Sequence, residues 1–508
     1  MMKKILTILL LTSSFFLFSQ EDDFFSDDVD FEDMNFDDMF GEEGDDTFLE
    51  VVEDQSDEVA APSSELLTTN GVEFGGTFSS SISAGVTYSD FPGVSDIFKD
   101  YDDTFTPSLS ATLYFNARPT EDTRFFGKVS TDIPFYKSAK VLLANEDYVP
   151  GAVYVAEDPT KTNYREGTPA TVSIPEIKIE ELFTDFNYKN RVFFRVGKQN
   201  AKWGVGYFFS PADFLSLESI DPENPTADRE GPIAIKVSAP FGLNNLYTYI
   251  TVPNSVFETG DASVTDLIIA PMFQVLLGDT EVSSGIYYQK DSAPRAMLSA
   301  TYGTNTNYGQ FSFFGEAVGL YGSDKTFIKE DYTTVTYDDK LFFNGTAGFM
   351  WSKEIANNNF SLVGQYYYNG EGYEKNSNII KNVMAPISGV TPDVPVTYSG
   401  SYTTLLTDFL AGDSDLTFSD VANRSRHYLG ASFGISNLFD NEDLSLSAYT
   451  MMNLADISGF VKSSISYTFF DGLSASLGTT INFSDRGDEY FGDKFAIDLT
   501  FNLGGGSF

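Results

Sequence analysis

The densest cluster of residues able to do chemistry runs from Arg195 to Gly231. It reads Arg195-Val196-Gly197-Lys198-Gln199, then Trp203-Gly204, Ser210-Pro211, Asp213, Asp221-Pro222, Asp228 and Arg229-Glu230-Gly231. Charges of both signs on one short segment can pair with each other or line a narrow passage and sort ions. They do not make a nucleophile. Gly197-Lys198-Gln199 is not a phosphate loop, because the upstream glycine and the Ser or Thr after the lysine are missing. His427 is the single histidine. It opens a segment of alternating polarity, on the apolar parity, so an interfacial place fits it better than catalysis, and no nucleophile can be set beside it. Asp28 and Asp30 have a calcium-loop spacing but lack the required glycine and the closing glutamate. With no cysteine in the chain, disulfides and thiolate metal sites are excluded. The sequence thus predicts no catalytic residue, no cofactor and no metal.

The elements that hold this cluster show a period of two. Val192, Phe194 and Val196 fall on one parity and Arg195 on the other. Upstream, Val72, Phe74, Phe78, Ile82, Ala84, Val86 and Tyr88 alternate with Glu73, Thr77, Ser79, Ser81, Ser83 and Thr87. Phe105, Leu109, Ala111, Leu113 and Phe115 alternate with Thr106, Ser108, Ser110, Thr112 and Asn116, and Phe125 and Val129 with Arg124, Lys128 and Ser130. Similar stripes follow at Ile233 to Ala239, 267–277, 311–321, 343–351, 360–368, 429–435, 473–483 and 495–503. One greasy and one polar face per strand is the pattern of a wall between lipid and water. A soluble β-sandwich also alternates, but one core would have to bury the greasy face of nearly every strand. The sequence predicts an all-β, transmembrane, antiparallel up-and-down barrel of about 18 strands, within a range of roughly 16 to 18 for barrels that hold an aqueous channel.

Composition agrees. Mean hydropathy is −0.15, which would suit a soluble chain, but alternating faces average out in a barrel. The 48 Phe and 28 Tyr suit aromatic girdles at the two membrane interfaces. Residues 1–19 read as a secretory signal, with Lys3 and Lys4 ahead of an apolar stretch. Residues 20–70 form an acidic segment with interleaved Phe and Met, too charged to build a core. It is expected to be a disordered periplasmic tail, or to dock a partner there through those anchors. The barrel is expected over residues 71–508. The net charge of −43 argues against nucleic acid as a partner.

Connections alternate in length. Short ones lie at 118–122, 187–190, 242–245, 278–281 and 471–472; long ones run near 136–172, 197–231, 322–340 and 369–426. Short turns face the periplasm in such barrels, so both chain ends are expected there. The loop after Arg195 is long enough to fold inward. Asp213, Asp221, Asp228, Arg229 and Glu230 would then face Arg124, Lys128, Arg195 and Lys236 across a constriction, or else pair off and hold the loop down. Gly197, Gln199, Trp203, Gly204 and Gly231 would shape and pack it.

The run R-x-G-[RK]-Q into W-G and then R-E-G resembles a segment of porin-like outer-membrane barrels of diderm bacteria, closely over residues 177–241 and only generically elsewhere. The resemblance implies a passive or substrate-selective channel for small solutes, no enzymatic activity, a lipid surround and assembly by the barrel-insertion machinery, whose terminal aromatic signal Phe508 resembles despite the intervening Gly504-Gly505-Gly506. It names neither solute nor oligomeric state. A surface adhesin or structural barrel acting through loops 136–172 and 369–426 is the alternative. A plugged, energy-coupled transporter fits poorly, since only about 50 residues precede the first strand and a plug needs far more.

Overall fold

The computed structural model describes residues 72 to 507, except for 93–100, 133–136, 142–169, 254–265, 375–420, 485–489 and scattered turn positions that include 222–223, 226–228 and 331–332. The expected signal, the acidic segment and Phe508 lie outside the described residues. In chain order the strands are β1 (Val72–Tyr88), β2 (Asp102–Thr120), β3 (Thr123–Asp132), β4 (Lys137–Val141), β5 (Ala170–Ile174), β6 (Lys178–Tyr188), β7 (Val192–Lys198), β8 (Ile233–Phe241), β9 (Asn244–Thr251), β10 (Ile268–Leu277) and β11 (Thr280–Gln289). They continue as β12 (Arg295–Thr306), β13 (Gly309–Tyr321), β14 (Phe327–Ile328), β15 (Thr334–Val335), β16 (Leu341–Ile355), β17 (Asn358–Asn369), β18 (His427–Ser436), β19 (Leu444–Asn453), β20 (Ser458–Phe470), β21 (Leu473–Asn482) and β22 (Phe495–Ser507).

Eighteen of these form one antiparallel sheet, each strand paired with its neighbour in sequence. β22 pairs back onto β1 and closes the barrel. Closure removes the sheet edges, which is what lets strands cross a medium that offers no hydrogen bonds. The pairs β4–β5 and β14–β15 stand outside the sheet as two small hairpins within long connections. Sequence periodicity did not separate them from their loops. The short turns fall after every second barrel strand, and both ends of the barrel lie at the short-turn rim. Near the C-terminus the alternation shifts parity because Gly504 pairs with Ser80 while Asn502 pairs with Ser81. Leu503 is the extra residue of a β-bulge.

The greasy parity faces outward. Phe74, Phe105, Leu113, Phe125, Val196, Ile233, Ile235, Leu298, Phe313 and Phe343 are all exposed. Exposed aromatics also mark both rims: Tyr188, Phe241, Tyr308 and Phe469 near the short turns, and Phe105, Tyr288, Tyr321 and Phe343 near the long connections. Two aromatic rings around an apolar band are the surface of a barrel set in lipid. His427 opens β18 at the long-loop rim, where its Nδ1 lies 2.6 Å from the Tyr366 hydroxyl and its ring packs against Tyr366 and Tyr368. It belongs to that rim.

The inner face is not uniform. Between β8 and β16 it carries buried apolar side chains, among them Tyr247, Tyr249, Met272, Met297, Val318, Leu320 and Phe342. These cluster with Ala201, Trp203, Ala212 and Leu215 of the loop between β7 and β8. A core therefore sits inside the barrel, and the loop covers it.

Candidate functional site

The loop turns inward where β7 ends. Gly197 has φ +138°, and a Cβ there would overlap the Leu182 carbonyl oxygen on β6. Only glycine takes that backbone at that closeness. Gln199, fully buried, donates from Nε2 to the Ala234 carbonyl at 3.0 Å and to that of Gly197 at 3.3 Å. Its backbone N–H donates to Pro232 at 3.2 Å, and Gly231 packs directly on the Gln199 carbonyl. Entry and exit of the loop are thereby stapled side by side. Trp203 is buried, edge-on to Phe214, with its indole against Gly285 of β11. Gly204, with φ +88°, passes so close to Glu316 that a Cβ would meet its carboxylate.

Two wall residues then hold the crossing. Glu316 of β13 accepts hydrogen bonds at Oε1 from the N–H groups of Val205 (2.5 Å) and Gly206 (2.6 Å) and from Ser210 Oγ (2.9 Å), and at Oε2 from the Ala212 N–H (2.9 Å). Gln365 of β17 accepts at Oε1 from Phe208 N–H (2.6 Å) and donates from Nε2 to the Phe209 carbonyl (2.6 Å) and Thr346 Oγ1 (2.6 Å). Phe208 reaches Gly430 on β18, and Phe209 stacks on Tyr367 at 5.2 Å. A loop leaves β7 and touches β18, which lies across the sheet order from it. It spans the lumen. A backbone removed from bulk water needs its donors and acceptors matched, and Glu316 and Gln365 match them.

The charges pair close to home. Arg124, Asp185, Arg195 and Lys236 are successive cross-strand neighbours on β3, β6, β7 and β8. Arg195 donates to both Asp185 oxygens, at 2.7 and 3.0 Å, and Arg124 stands 3.7 Å from Asp185. The Arg195 guanidinium lies 3.8 Å from the Phe183 ring centroid, and Lys236 lies over Tyr247 at 5.1 Å. Lys128 faces Glu181 in register. In the loop, Arg229 pairs with the buried Asp213, whose Oδ1 also accepts from the Trp203 N–H at 3.3 Å. Glu230 meets Lys198 at 2.5 Å and Lys178 at 3.8 Å. Glu218 accepts from the Glu230 N–H at 3.0 Å and from Lys178 at 2.9 Å. That amide and that ammonium hold its carboxyl below the usual range.

Of the two arrangements expected from sequence, loop acids opposed to wall bases or charges tying the loop down, the described contacts of Asp213, Arg229 and Glu230 have the second form. For Arg124 and Arg195 a wall carboxylate, Asp185, supplies the counter-charge. Its own burial is complete, and a bidentate guanidinium pair is how such a charge is tolerated. Asp221 is exposed, and Asp228 lies outside the described residues. Glu316, Gln365 and Asp185 are not among the site residues expected from the sequence. A signal for them existed. Met297, Val318, Leu320 and Phe342 are apolar on the inward parity, and inward apolar residues in an aqueous lumen require a cover. The lone Glu316 among them marks where that cover is fastened.

No family model and no curated protein matches this chain. Among solved structures it is similar to OccK9 (OpdG) of Pseudomonas aeruginosa, with TM-score 0.45 and 8% identity over 86% of this chain and 98% of that one. It is also similar to a BenF-like porin of Pseudomonas fluorescens, with TM-score 0.43 and 10% identity over 85% and 98%. OccAB3 of Acinetobacter baumannii gives TM-score 0.43 and 10% identity over 86% and 99%.

Proposed function

We propose that this protein is a porin-like channel of the bacterial outer membrane that passes small solutes without catalysing a reaction on them. The observation that carries this is the loop fastened across an otherwise closed barrel by Glu316 and Gln365. So held, the loop is a fixed narrowing of the lumen, which a channel needs in order to select among small solutes. The lipid-facing band and aromatic rims fit that membrane, and insertion would rely on the barrel-assembly machinery. The sequence resemblance over residues 177–241 points the same way. Purified protein added to a planar lipid bilayer is expected to give stepwise, reproducible conductance. Absence of steps at every voltage, from protein shown to be inserted, defeats the proposal.

A further inference from the structure

The crossing loop divides the lumen into unlike halves. On the β8 to β16 side the inward residues are buried under the loop. On the other side, formed by β18 to β22 with β1 to β3, the inward residues are mostly hydroxylic and, apart from buried side chains such as Tyr428, Met451, Asn453 and Ser458, partly exposed; Lys462 on β20 and Asp498 on β22 stand among them in adjoining rows with opposite charges. Cross-strand register aligns them. Ser466, Ser476, Thr500, Ser83 and Thr106 are successive neighbours on β20, β21, β22, β1 and β2. A second row follows it through Ser474, Asn502, Ser81 and Ser108. Thr500 bonds Ser83 at 3.0 Å and Asn502 bonds Ser474 at 3.0 Å. Each row is uncharged and carries both donors and acceptors.

One border of this wall is aromatic. Tyr114, Phe126 and Phe183 form a stack on the inner faces of β2, β3 and β6, with centroid spacings of 6.2 and 5.2 Å. Phe183 is covered by Arg195, and Arg124 lies 5.0 Å over Phe126. Tyr114 is the exposed end of the stack. It lies against Gly75 of β1, where a Cβ would collide with its ring. The ring is thus fixed in orientation and open to the lumen.

We propose that solutes pass through the crescent bounded by the loop and the β18 to β3 wall, and that the crescent favours uncharged polyhydroxylated solutes of the saccharide class. This rests on the channel proposal above. Rows of paired hydroxyls exchange hydrogen bonds with a polyol without a change of charge, and the fixed face of Tyr114, farther along β2 toward the short-turn rim, receives its C–H surface as the solute moves along the same wall. The charges bordering the crescent on the β6 side sit beside opposite charges, Arg195 and Arg124 with Asp185 and Lys178 with Glu218, so that border offers an ionic solute little net attraction.

The test is swelling of proteoliposomes in isotonic glucose, gluconate or arginine, together with maltose-induced interruption of the bilayer current. Glucose is expected to enter several-fold faster than either charged solute, and maltose to interrupt the current. Tyr114→Ala is expected to shorten the maltose interruptions about tenfold, the scale of one lost aromatic contact. Folding is followed by heat-modifiable gel migration. Should that variant fail to fold, the Ser83→Ala/Thr500→Val double variant is expected to slow glucose entry relative to arginine. A barrel that conducts ions but admits gluconate or arginine as fast as glucose overturns the saccharide assignment and leaves the channel standing. A barrel that does not conduct overturns both.

Discussion

The two halves of the lumen are built from the same kind of strand, yet they solve opposite problems. From β8 to β16 both faces of the wall are greasy: Leu298 and Phe313 look outward while Met297, Phe314 and Val318 look inward. From β18 round to β3 the outer face is greasy, while the inner one is richest in Ser and Thr, interrupted by Tyr428, Met451, Phe460, Tyr114 and Phe126. The first half could not face water at a tolerable cost. Burying its inner side chains contributes roughly 1.5 to 3 kcal/mol each, and the loop supplies the partner surface. The second half needs no cover. The asymmetry teaches that the loop serves two ends at once: it completes a core on one side and borders the hydroxylic wall on the other, where the proposed path runs.

That comparison can be broken most directly by removing the loop. Replacing residues 201–216 with a short Gly/Ser linker is expected to raise single-channel conductance several-fold and to expose the apolar half, lowering the temperature of heat-modifiable unfolding. If conductance stays unchanged, the loop does not narrow the passage. Glu316→Ala comes next. It leaves the N–H groups of Val205, Gly206 and Ala212 without their acceptor, a loss of about 3 kcal/mol or more. Bilayer traces are expected to flicker between wild-type and larger steps, and the loop to become cleavable by added protease. Traces as steady as wild type would show that the apolar contacts alone hold the crossing.

Gly197→Val tests the entry rather than the clamp. With φ +138° and the Leu182 carbonyl in the way, it is expected to cost about 2 kcal/mol, read as a lower unfolding temperature with the Glu316 clamp intact. The smallest effect concerns pH. Glu218 has its carboxyl held below its ordinary value of 4.5. A depressed folded value means stabilisation that is present above the ordinary value and lost as pH falls through the folded one. Glu218 is partly exposed, so solvent screens the contribution. Acidification from above the ordinary value of 4.5 down through the lower folded one is expected to raise current noise modestly, and Glu218→Gln to abolish that rise.

Much of this was legible in the sequence, for a definite reason. Lipid outside and water inside impose a period of two on every strand, and that period survives in the chain as a local pattern. Strand number, the short turns after every second strand and the lipid-facing set followed from it. The Arg195 to Gly231 segment announced an inward loop through its length, with Gly197 and Trp203 expected to shape and pack it. The partners of the loop were not legible. Glu316 lies 104 residues from Ala212 and Gln365 lies 157 from Phe208, and nothing local links them. Asp185 became the counter-charge of Arg195 only through strand register.

By itself, the sequence determined a barrel wall, its facing and its turns, because each of these depends on neighbours a few residues apart. Only the tertiary structure decided which half of the lumen is filled. Closing β22 onto β1 places β13 and β17 where the loop from β7 can reach them, and it leaves the hydroxyl rows of β20 to β2 side by side on the wall away from that loop. Curvature of the whole sheet, a property of eighteen strands together, makes those meetings, and no segment of the chain carries it alone.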